Sequence, residues 1–222
     1  MKIKGAIFDL DGTILDSMEV WDKALVTFLN NNGKVADENI NKDLEPLSMT
    51  EGAEYLKEKY SLDMDISMII FDVNTVVKNL YSDYVKVKDG AEAFIKKIID
   101  SGIKVVAATS SDRDVAEKAL KKLGLIEYFE KIFTCTEEKT SKEKPEIFLK
   151  AAEYMGTNPK ETLVFEDALY ALKTAKGAGF ITVGVYDKSS SDKQEEIKSI
   201  SDFYLKSFGG EINENSFNNC WK

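Results

Sequence analysis

The chain has no histidine, a single arginine at position 113, two cysteines and three prolines among its 222 residues. The lack of histidine excludes imidazole acid/base catalysis, histidine-paired nucleophiles and histidine metal ligands. Cys135 and Cys220 are too few for a disulfide framework and do not have the spacing of a thiolate metal site. Any active site must therefore draw on carboxylates, hydroxyls, lysines and the backbone.

Positive charge is also scarce, because 39 acidic residues outnumber 30 basic ones and give a net charge of −9. Such an acidic chain is a poor partner for nucleic acid. No run of 18 apolar residues is present, and the first residues carry no signal-peptide pattern. We therefore expect a cytoplasmic monomer that binds neither nucleic acid nor membranes, with a frayed polar tail at Asn213–Lys222.

Apolar runs alternate with helical patterns along most of the chain. The predicted strands are Gly5–Phe8, Lys104–Ala108, Lys131–Thr134, Thr162–Phe165 and Ile181–Val185. The predicted helices are Ala93–Ile99, Asp112–Leu123, Pro145–Met155 and Ala168–Ala178. A capping-box pattern, Asp89 with Glu92, precedes the first of these helices. This alternation predicts an α/β fold, a Rossmann-like doubly wound parallel sheet with helices on both faces.

The alternation is interrupted after the first strand by a long segment without a strand pattern. Ser17–Leu29 and Ile66–Tyr84 have helical periodicity. Between them, Ser48 and Glu51 form a capping-box pattern before a third helix, Ala53–Tyr60. The segment is therefore predicted to be entirely helical.

An all-helical segment of roughly 70 residues is best interpreted as a second domain. We predict a helical cap domain of residues 17–86, inserted into a core domain formed by residues 1–16 and 87–222. The two ends of the insertion, Ser17 and Val85–Lys88, are the predicted hinges.

The most informative motif is Asp9-Leu10-Asp11-Gly12-Thr13, which directly follows the first predicted strand. Aspartate and glycine are poor strand formers, so the motif conflicts with the local propensity. Such conflicts are expected at functional sites. The plainer alternative is a strand that ends in a turn, since Asp-Gly is typical of turns.

Polar residues also follow the next three predicted strands. They are Thr109, Ser110 and Ser111 after the second strand, Lys139, Lys142 and Lys144 after the third, and Glu166 and Asp167 after the fourth. Taken singly, these groups are also explained by a helix cap, a solvated loop and a surface loop. Because ligands bind at the carboxyl ends of strands in an open parallel sheet, their joint placement favours one shared site.

The chemistry of this set is that of a metal and phosphate site. Several carboxylates in one cleft repel one another unless a cation neutralises them, and oxygen ligands without nitrogen or sulfur suit Mg²⁺. Hydroxyls, turn N–H groups and a lysine suit a phosphoryl group. One aspartate could act as a nucleophile at phosphorus, and a second carboxyl could serve as general acid and base.

With these four motifs in order, the chain resembles the haloacid dehalogenase superfamily of phosphohydrolases. It resembles the branch that includes β-phosphoglucomutases and phosphoglycolate phosphatases, which has a helical cap after the first motif. The similarity covers nearly the whole chain except the last ten residues. It implies a Mg²⁺-dependent phosphatase that hydrolyses a small phosphorylated metabolite, a sugar phosphate or similar monophosphate, through an aspartyl-phosphate intermediate.

The resemblance implies catalytic and metal-binding roles. Asp9 matches the family nucleophile, and Asp11 matches the general acid/base. Asp9, Asp11, Glu166 and Asp167 match the metal site, with Asp11 contributing its backbone carbonyl. Asp167 corresponds to a direct ligand, whereas Glu166 corresponds either to a ligand or to a partner of one.

The resemblance also implies a phosphate-binding set. Thr109 matches the hydroxyl of the second motif, with the Ser110 N–H beside it. The family pattern is a lysine, two residues, a proline, an acid, an apolar residue and a phenylalanine. Lys142 fits that spacing and is favoured over Lys144, which directly precedes the proline.

Two cap positions bear on the reaction type. Trp21 stands where β-phosphoglucomutases have a histidine, and Met49 stands where they have an arginine that binds a second phosphate. A nearby lysine does not replace a bidentate arginine, so a phosphatase is favoured over the alternative, a sugar phosphate mutase. We expect Trp21 and Met49 to form an apolar wall over the leaving group. A further alternative is a non-catalytic phospho-acceptor or binding module on the same fold.

Overall fold

The computed structural model describes residues 2–209, except for the side chains of Ser82 and Asp83. The predicted tail, Asn213–Lys222, and Cys220 lie outside the described residues. Within that range the strands are β1 (Gly5–Phe8), β2 (Leu15–Asp16), β3 (Lys86–Val87), β4 (Lys104–Thr109), β5 (Ile132–Thr134), β6 (Thr162–Glu166), β7 (Ile181–Val185) and β8 (Phe203–Leu205).

Six of these strands form one parallel sheet in the order β5-β4-β1-β6-β7-β8. The first strand is central, with β4 on one side and β6 on the other. The five predicted strands agree with the structure to within one residue at each end. The sequence patterns missed β8, a short edge strand of three residues. The predicted Rossmann-like α/β fold is confirmed.

Helices connect the strands. They are α1 (Met18–Asn31), α2 (Ile40–Leu44), α3 (Met49–Tyr60), α4 (Ile66–Tyr84), α5 (Ala91–Asp100), α6 (Arg113–Lys122), α7 (Cys135–Glu138), α8 (Glu146–Met155), α9 (Leu169–Gly177) and α10 (Gln194–Ile200). The predicted bounds of α4 match the structure at both ends, whereas the short helices α2, α7 and α10 were missed. Across the described part of the chain, no helix combines the length and apolar character needed to span a bilayer.

Helices cover both faces of the sheet, and alternate side chains of each strand point to opposite layers. In β1, Ala6 and Phe8 join the cluster that contains Phe94 of α5, whereas Ile7 joins the cluster that contains Phe148 of α8. The site-bearing strands therefore sit between two helical layers. Each fully buried aromatic or aliphatic side chain contributes about 1.5–3 kcal/mol to this packing.

The helices α1 to α4 lie between the short strands β2 and β3. These strands pair antiparallel, with Leu15 opposite Val87 and Asp16 opposite Lys86. The pairing brings the two ends of segment 17–86 together, beside the end of β1. The division of the chain into a core and this cap domain stays a prediction.

Helix α3 begins with the predicted capping box. The Ser48 hydroxyl accepts from the Glu51 N–H at 3.3 Å, and the Glu51 carboxylate accepts from the Ser48 N–H at 2.8 Å. These two contacts satisfy N–H groups that the helix itself leaves unpaired. The helix starts at Met49, earlier than the predicted Ala53, and Met49 packs against the core.

The capping box predicted at Asp89 and Glu92 is wrong. Gly90 precedes α5 instead, with a φ of +80°, and no side chain caps the helix. A Cβ at Gly90 would lie 2.5 Å from the backbone nitrogen of Gly209, so this close approach requires glycine. The Glu92 carboxylate accepts from the Tyr128 hydroxyl at 2.9 Å, away from the helix end.

Candidate active site

The acidic motifs meet where β1 and β6 end. Asp9 directly follows β1, Glu166 is the last residue of β6, and Asp167 follows it. The two strands are in register, with Phe8 opposite Phe165, and the Asp9 N–H donates to the Phe165 carbonyl at 3.0 Å. Since the chain leaves β1 toward β4 and β5 and later returns to β6, this is a topological switch point of the sheet.

Asp9, Glu166 and Asp167 form a buried acidic cluster. Each offers a carboxylate oxygen, and these oxygens lie within 4.8 Å of one another. Burial, followed by the charge of Asp9, raises the pKa of Glu166 to about 7. Burial and the neighbouring Glu166 raise the pKa of Asp167 well above its usual value. The cluster resists ionisation unless positive charge is supplied.

Lys142 supplies part of that charge. Its side chain is only 3% exposed, and its ammonium group donates to Glu166 Oε2 at 2.7 Å and also to Asp9 Oδ1. Burial alone would lower the pKa of Lys142, but the carboxylates of Asp9 and Glu166 hold it well above its usual value. Of the two lysines considered above, Lys142 is the one beside Asp9, whereas Lys144 is exposed.

The donor set fits a divalent cation. Three carboxylates and one ammonium group leave a formal excess of two negative charges in a buried space. Uncompensated buried charge is strongly unfavourable, and Mg²⁺ prefers hard oxygen ligands of this kind. The residues present therefore suit the Mg²⁺ ion that the resemblance implies.

The loop after β1 closes tightly over the cluster. Gly12 has a φ of +83°, and a Cβ there would lie 2.4 Å from Asp167 Oδ2. Only glycine allows this approach without displacing the carboxylate. The neighbouring Thr13 hydroxyl donates to Asp167 Oδ1 at 2.7 Å and so orients the same side chain.

Asp11 has a separate environment. Its carboxylate accepts from the Ser17 hydroxyl at 2.7 Å, the Ser111 hydroxyl at 2.6 Å and the Tyr81 hydroxyl. Burial raises the pKa of Asp11, while the bond from Ser111 opposes that shift. The side chain is not part of the acidic cluster. A metal contact from Asp11 would therefore run through its backbone carbonyl, as the resemblance implies.

The predicted phosphate-binding residues at the end of β4 lie beside β1 in the sheet. Thr109 is fully buried, and its hydroxyl accepts from the Ser111 N–H at 3.0 Å. Ser110 is half-buried, with its hydroxyl 3.7 Å from the Cys135 sulfur. Cys135 is fully buried, and burial raises the pKa of its thiol. The phosphate-binding roles of Thr109, Ser110 and Lys142 stay predictions.

The two predicted cap residues lie in different settings. Trp21 on α1 is half-buried, and its indole N–H donates to the Tyr81 hydroxyl at 3.1 Å. Their rings pack edge to face with centroids 6.4 Å apart. Met49 is partly buried at the start of α3. That the two residues wall a substrate stays a prediction.

Three contacts of the site were missed by the sequence interpretation. Tyr81 reaches Asp11 from α4, Ser17 donates to Asp11 instead of capping α1, and Thr13 orients Asp167. One usable signal was Tyr81 itself, because a tyrosine on the buried face of a helix needs a partner for its hydroxyl.

The sequence interpretation also missed the contacts of Lys88, which follows β3. Its ammonium group pairs with Asp187 Oδ2 at 2.7 Å and donates to the carbonyls of Tyr186, at 2.8 Å, and Gly12. Lys88 thereby connects the turn after β1 to the segment after β7. Its charge also opposes the rise in the pKa of Asp167 that Asp187 contributes to.

Comparison with known families agrees with this geometry. A family model described as haloacid dehalogenase-like hydrolase matches residues 3–179. The matched segment includes the acidic cluster, Lys142 and the helical insertion. The chain belongs to this family of hydrolases.

Among individual proteins, the chain is similar to two phosphatases of phosphorylated sugars and to the structure of a β-phosphoglucomutase. The chain is 29% identical to fructose-1-phosphate phosphatase YqaB of Escherichia coli, over 82% of this chain and 95% of that protein. It is 26% identical to the phosphorylated carbohydrates phosphatase of Thermotoga maritima, over 80% of this chain and 82% of that protein. The crystal structure of β-phosphoglucomutase from Clostridium difficile matches with a TM-score of 0.78 and 24% identity, covering 98% and 95% of the two chains. That structural likeness establishes the shared fold.

Proposed function

We propose that this protein is a Mg²⁺-dependent phosphatase that hydrolyses a small phosphorylated metabolite, a sugar phosphate or similar monophosphate, through an aspartyl-phosphate intermediate. The observation that carries the proposal is the setting of Asp9, which is buried in contact with the ammonium group of Lys142 and clustered with the carboxylates of Glu166 and Asp167. Relatives named for phosphorylated carbohydrates and for fructose 1-phosphate support the substrate class.

In the first step, a carboxylate oxygen of Asp9 attacks phosphorus and the bond from phosphorus to the leaving oxygen breaks. The Thr109 hydroxyl, the Ser110 N–H and the Lys142 ammonium group hold the phosphoryl oxygens. Asp11 gives its proton to the leaving oxygen, so an alcohol departs rather than an alkoxide. Asp9 is left as an acyl phosphate.

In the second step, water attacks the phosphorus of the acyl phosphate. Asp11, now ionised, takes a proton from that water as it attacks. The bond between phosphorus and the Asp9 oxygen breaks, which releases inorganic phosphate and restores the Asp9 carboxylate. Asp11 regains its proton in the same step and is ready for the next substrate.

Asp9, Glu166, Asp167 and the backbone carbonyl of Asp11 would hold the Mg²⁺ ion. When bound, the ion neutralises charge between the anionic phosphoryl group and the anionic nucleophile. Lys142, which contacts both Asp9 and Glu166, adds positive charge to the same space. Burial of these groups strengthens each of the electrostatic contacts.

Arg113 bears on the choice between phosphatase and mutase. It is the only arginine in the sequence, and its guanidinium group donates to Glu137, at 2.6 Å from Nη2, and to the Ile132 carbonyl at 2.8 Å. It is thus engaged by α7 and by the carbonyl at the start of β5, and not by the helical insertion. We expect little conversion of β-glucose 1-phosphate to glucose 6-phosphate, even with a bisphosphate primer. Mutase flux well above phosphate release would favour the mutase instead.

The direct test is phosphate release from 4-nitrophenyl phosphate and from a panel of sugar monophosphates, with and without Mg²⁺. The wild type should release phosphate only with the metal, and Asp9→Asn should release none. Failure of the wild type with both 4-nitrophenyl phosphate and acetyl phosphate would favour a non-catalytic binding module.

A further inference from the structure

Three hydroxyl groups surround the Asp11 carboxylate, and we refer to Ser17, Tyr81 and Ser111 as the hydroxyl clamp. Ser17 and Tyr81 donate to Oδ1, and Ser111 donates to Oδ2. All three donors are at least nine-tenths buried, with exposed fractions of 1%, 6% and 4%. Water therefore competes poorly for these contacts.

The direction of the Tyr81 contact is set by Trp21 and Asp11 together. An indole N–H can only donate, so the Tyr81 oxygen accepts from Trp21 Nε1 and cannot give its proton to the indole. An ionised carboxylate can only accept, so the phenolic proton points toward Asp11. Trp21 and Tyr81 therefore act as a relay of two donors that ends on Oδ1.

The clamp distinguishes the two oxygens of Asp11. A carboxylate oxygen has two acceptor sites, and both sites of Oδ1 are taken by Ser17 and Tyr81. Oδ2 accepts from the Ser111 hydroxyl and keeps a second acceptor site for a proton. The Trp21 indole N–H also interacts with the Asp11 carboxylate and opposes the rise in its pKa. Proton transfer to and from a leaving group would run through Oδ2.

The clamp joins parts of the chain that are far apart in sequence. Ser111 lies in the loop after β4, Ser17 precedes α1, and Tyr81 comes from the last turns of α4. Helix α4 is attached to the loop after β4 by a bond from Asn74 Nδ2 to Asp112 Oδ2 at 2.6 Å. This attachment holds the helix that carries Tyr81 beside the loop that carries Ser111, another member of the hydroxyl clamp.

We propose that Tyr81 is a positioning residue for Asp11, holding Oδ1 so that Oδ2 carries the proton that is passed to the leaving group. This inference rests on the proposed phosphatase function, in which Asp11 is the acid and base. In the first step the proton leaves Oδ2 as the bond between phosphorus and the leaving oxygen breaks. In the second step Oδ2 receives a proton from the attacking water.

The test varies the leaving group of the substrate, and so separates an effect of Tyr81 on proton donation by Asp11 from any other effect of Tyr81. An alkyl monophosphate needs its leaving oxygen protonated, whereas nitrophenolate leaves without a proton. Because kcat/KM reports the steps up to formation of the acyl phosphate, it isolates donation from the later attack of water. Tyr81→Phe keeps the ring and removes only the hydroxyl.

For Tyr81→Phe we expect kcat/KM to fall about 10- to 100-fold for the alkyl monophosphate that the wild type hydrolyses fastest. The loss for 4-nitrophenyl phosphate should be less than about threefold. Tyr84→Phe is the matched control, because Tyr84 lies on the same helix and is 59% exposed. It should change neither value.

An equal loss for both substrates, or no loss for either, would overturn the role of Tyr81 while leaving the phosphatase function intact. If Tyr81→Phe does not fold, as judged by circular dichroism, the same two kcat/KM values are measured for Trp21→Phe. That variant removes the N–H that orients the phenol, and it should show the same dependence on the leaving group with a smaller loss. A wild type that hydrolyses neither substrate overturns the proposed function, and this inference with it.

Discussion

The carboxyl edge of the parallel sheet and the helical insertion beside it contribute to the site in different ways. At the sheet edge, Asp9, Glu166 and Asp167 are the residues that end or directly follow two neighbouring strands. In the insertion, Tyr81 reaches Asp11 from 70 positions away, at the far end of a 19-residue helix. The first arrangement follows from strand register, and the second follows from how helices pack.

The two regions also differ in charge. The sheet edge concentrates buried carboxylates around one buried lysine. The insertion meets the rest of the chain partly through ion pairs, such as the exposed pair of Lys42 with Asp192 at 3.0 Å and the partly buried pair of Lys193 with Glu45 at 2.6 Å. An exposed pair such as the first is typically worth less than about 1 kcal/mol. We infer that the sheet edge carries the chemistry and that the insertion adjusts it.

The largest effect is expected at the nucleophile of the sheet edge. Asp9→Asn should abolish phosphate release and leave the fold intact, because the amide has the same shape but lacks the nucleophilic oxygen. Asp100→Asn, on the exposed end of α5, is the matched control and should be as active as the wild type. Wild-type rates from a cleanly purified Asp9→Asn protein would rule out the assignment.

The next prediction compares two nearby lysines. Lys142→Met should lower the free energy of unfolding of the metal-free protein by about 3–5 kcal/mol, since it leaves buried carboxylates without their cation. Lys144→Met should change it by less than about 0.5 kcal/mol, because that side chain is exposed. Urea unfolding at pH 8 measures both. Similar losses in the two variants would contradict the special environment of Lys142.

The acidic cluster should also make stability depend on pH. The pKa of Glu166 is raised from 4.5 to about 7 by burial and by Asp9. Between these values the folded protein binds more protons than the unfolded chain. Stability of the metal-free protein should therefore fall as the pH rises from about 4.5 to 7, by up to about 1.4 kcal/mol per pH unit for one proton.

Urea unfolding in the presence of a chelator, with Glu166→Gln as the control, measures this slope. The variant should be less dependent on pH, because the amide does not titrate. The stabilisation of the wild type by Mg²⁺ should increase as the pH rises, because the ion must displace protons to bind. A metal-free stability that is equally steep in the wild type and in Glu166→Gln would contradict the environment assigned to Glu166.

The smallest effect is expected in the insertion. Trp21→Ala should change the order in which monophosphates are hydrolysed, by several-fold between substrates, and leave the Mg²⁺ affinity within about twofold. The reason is that Trp21 contacts Tyr81 and not the acidic cluster. A panel of substrates together with a Mg²⁺ titration checks it. A large loss of Mg²⁺ affinity with an unchanged substrate order would contradict the inference that the insertion adjusts the chemistry of the sheet edge.

The residues of the sheet edge could be predicted because they are local in sequence. Each follows a run of apolar residues whose strand character is evident, and parallel strands bring their carboxyl ends to one edge. Asp9, Thr109 and Asp167 were all found in this way. Lys142 was chosen over Lys144 by motif spacing, and it is the buried one of the two.

The remaining features could not be predicted because they depend on distant contacts. Gly90, which lies against Gly209, precedes α5 in place of the capping box predicted at Asp89, and nothing near Asp89 signals that approach. The pairing of Tyr81 with Asp11 arises only once α4 packs beside the loop after β4. Hydrophobic periodicity identifies the buried face of α4, but it does not identify the carboxylate of Asp11 that Tyr81 on this face contacts.

The most direct test of the account is to trap the phosphoryl group on its acceptor. Asp11→Asn protein is incubated with Mg²⁺ and acetyl phosphate, whose leaving group needs no proton, and the acyl phosphate is then reduced with borohydride. Because the second step needs Asp11 as base, the intermediate should accumulate, and peptide mass spectrometry should find homoserine in place of Asp9. Reduction at another carboxylate, or at none while phosphate is still released, would contradict Asp9 as the nucleophile.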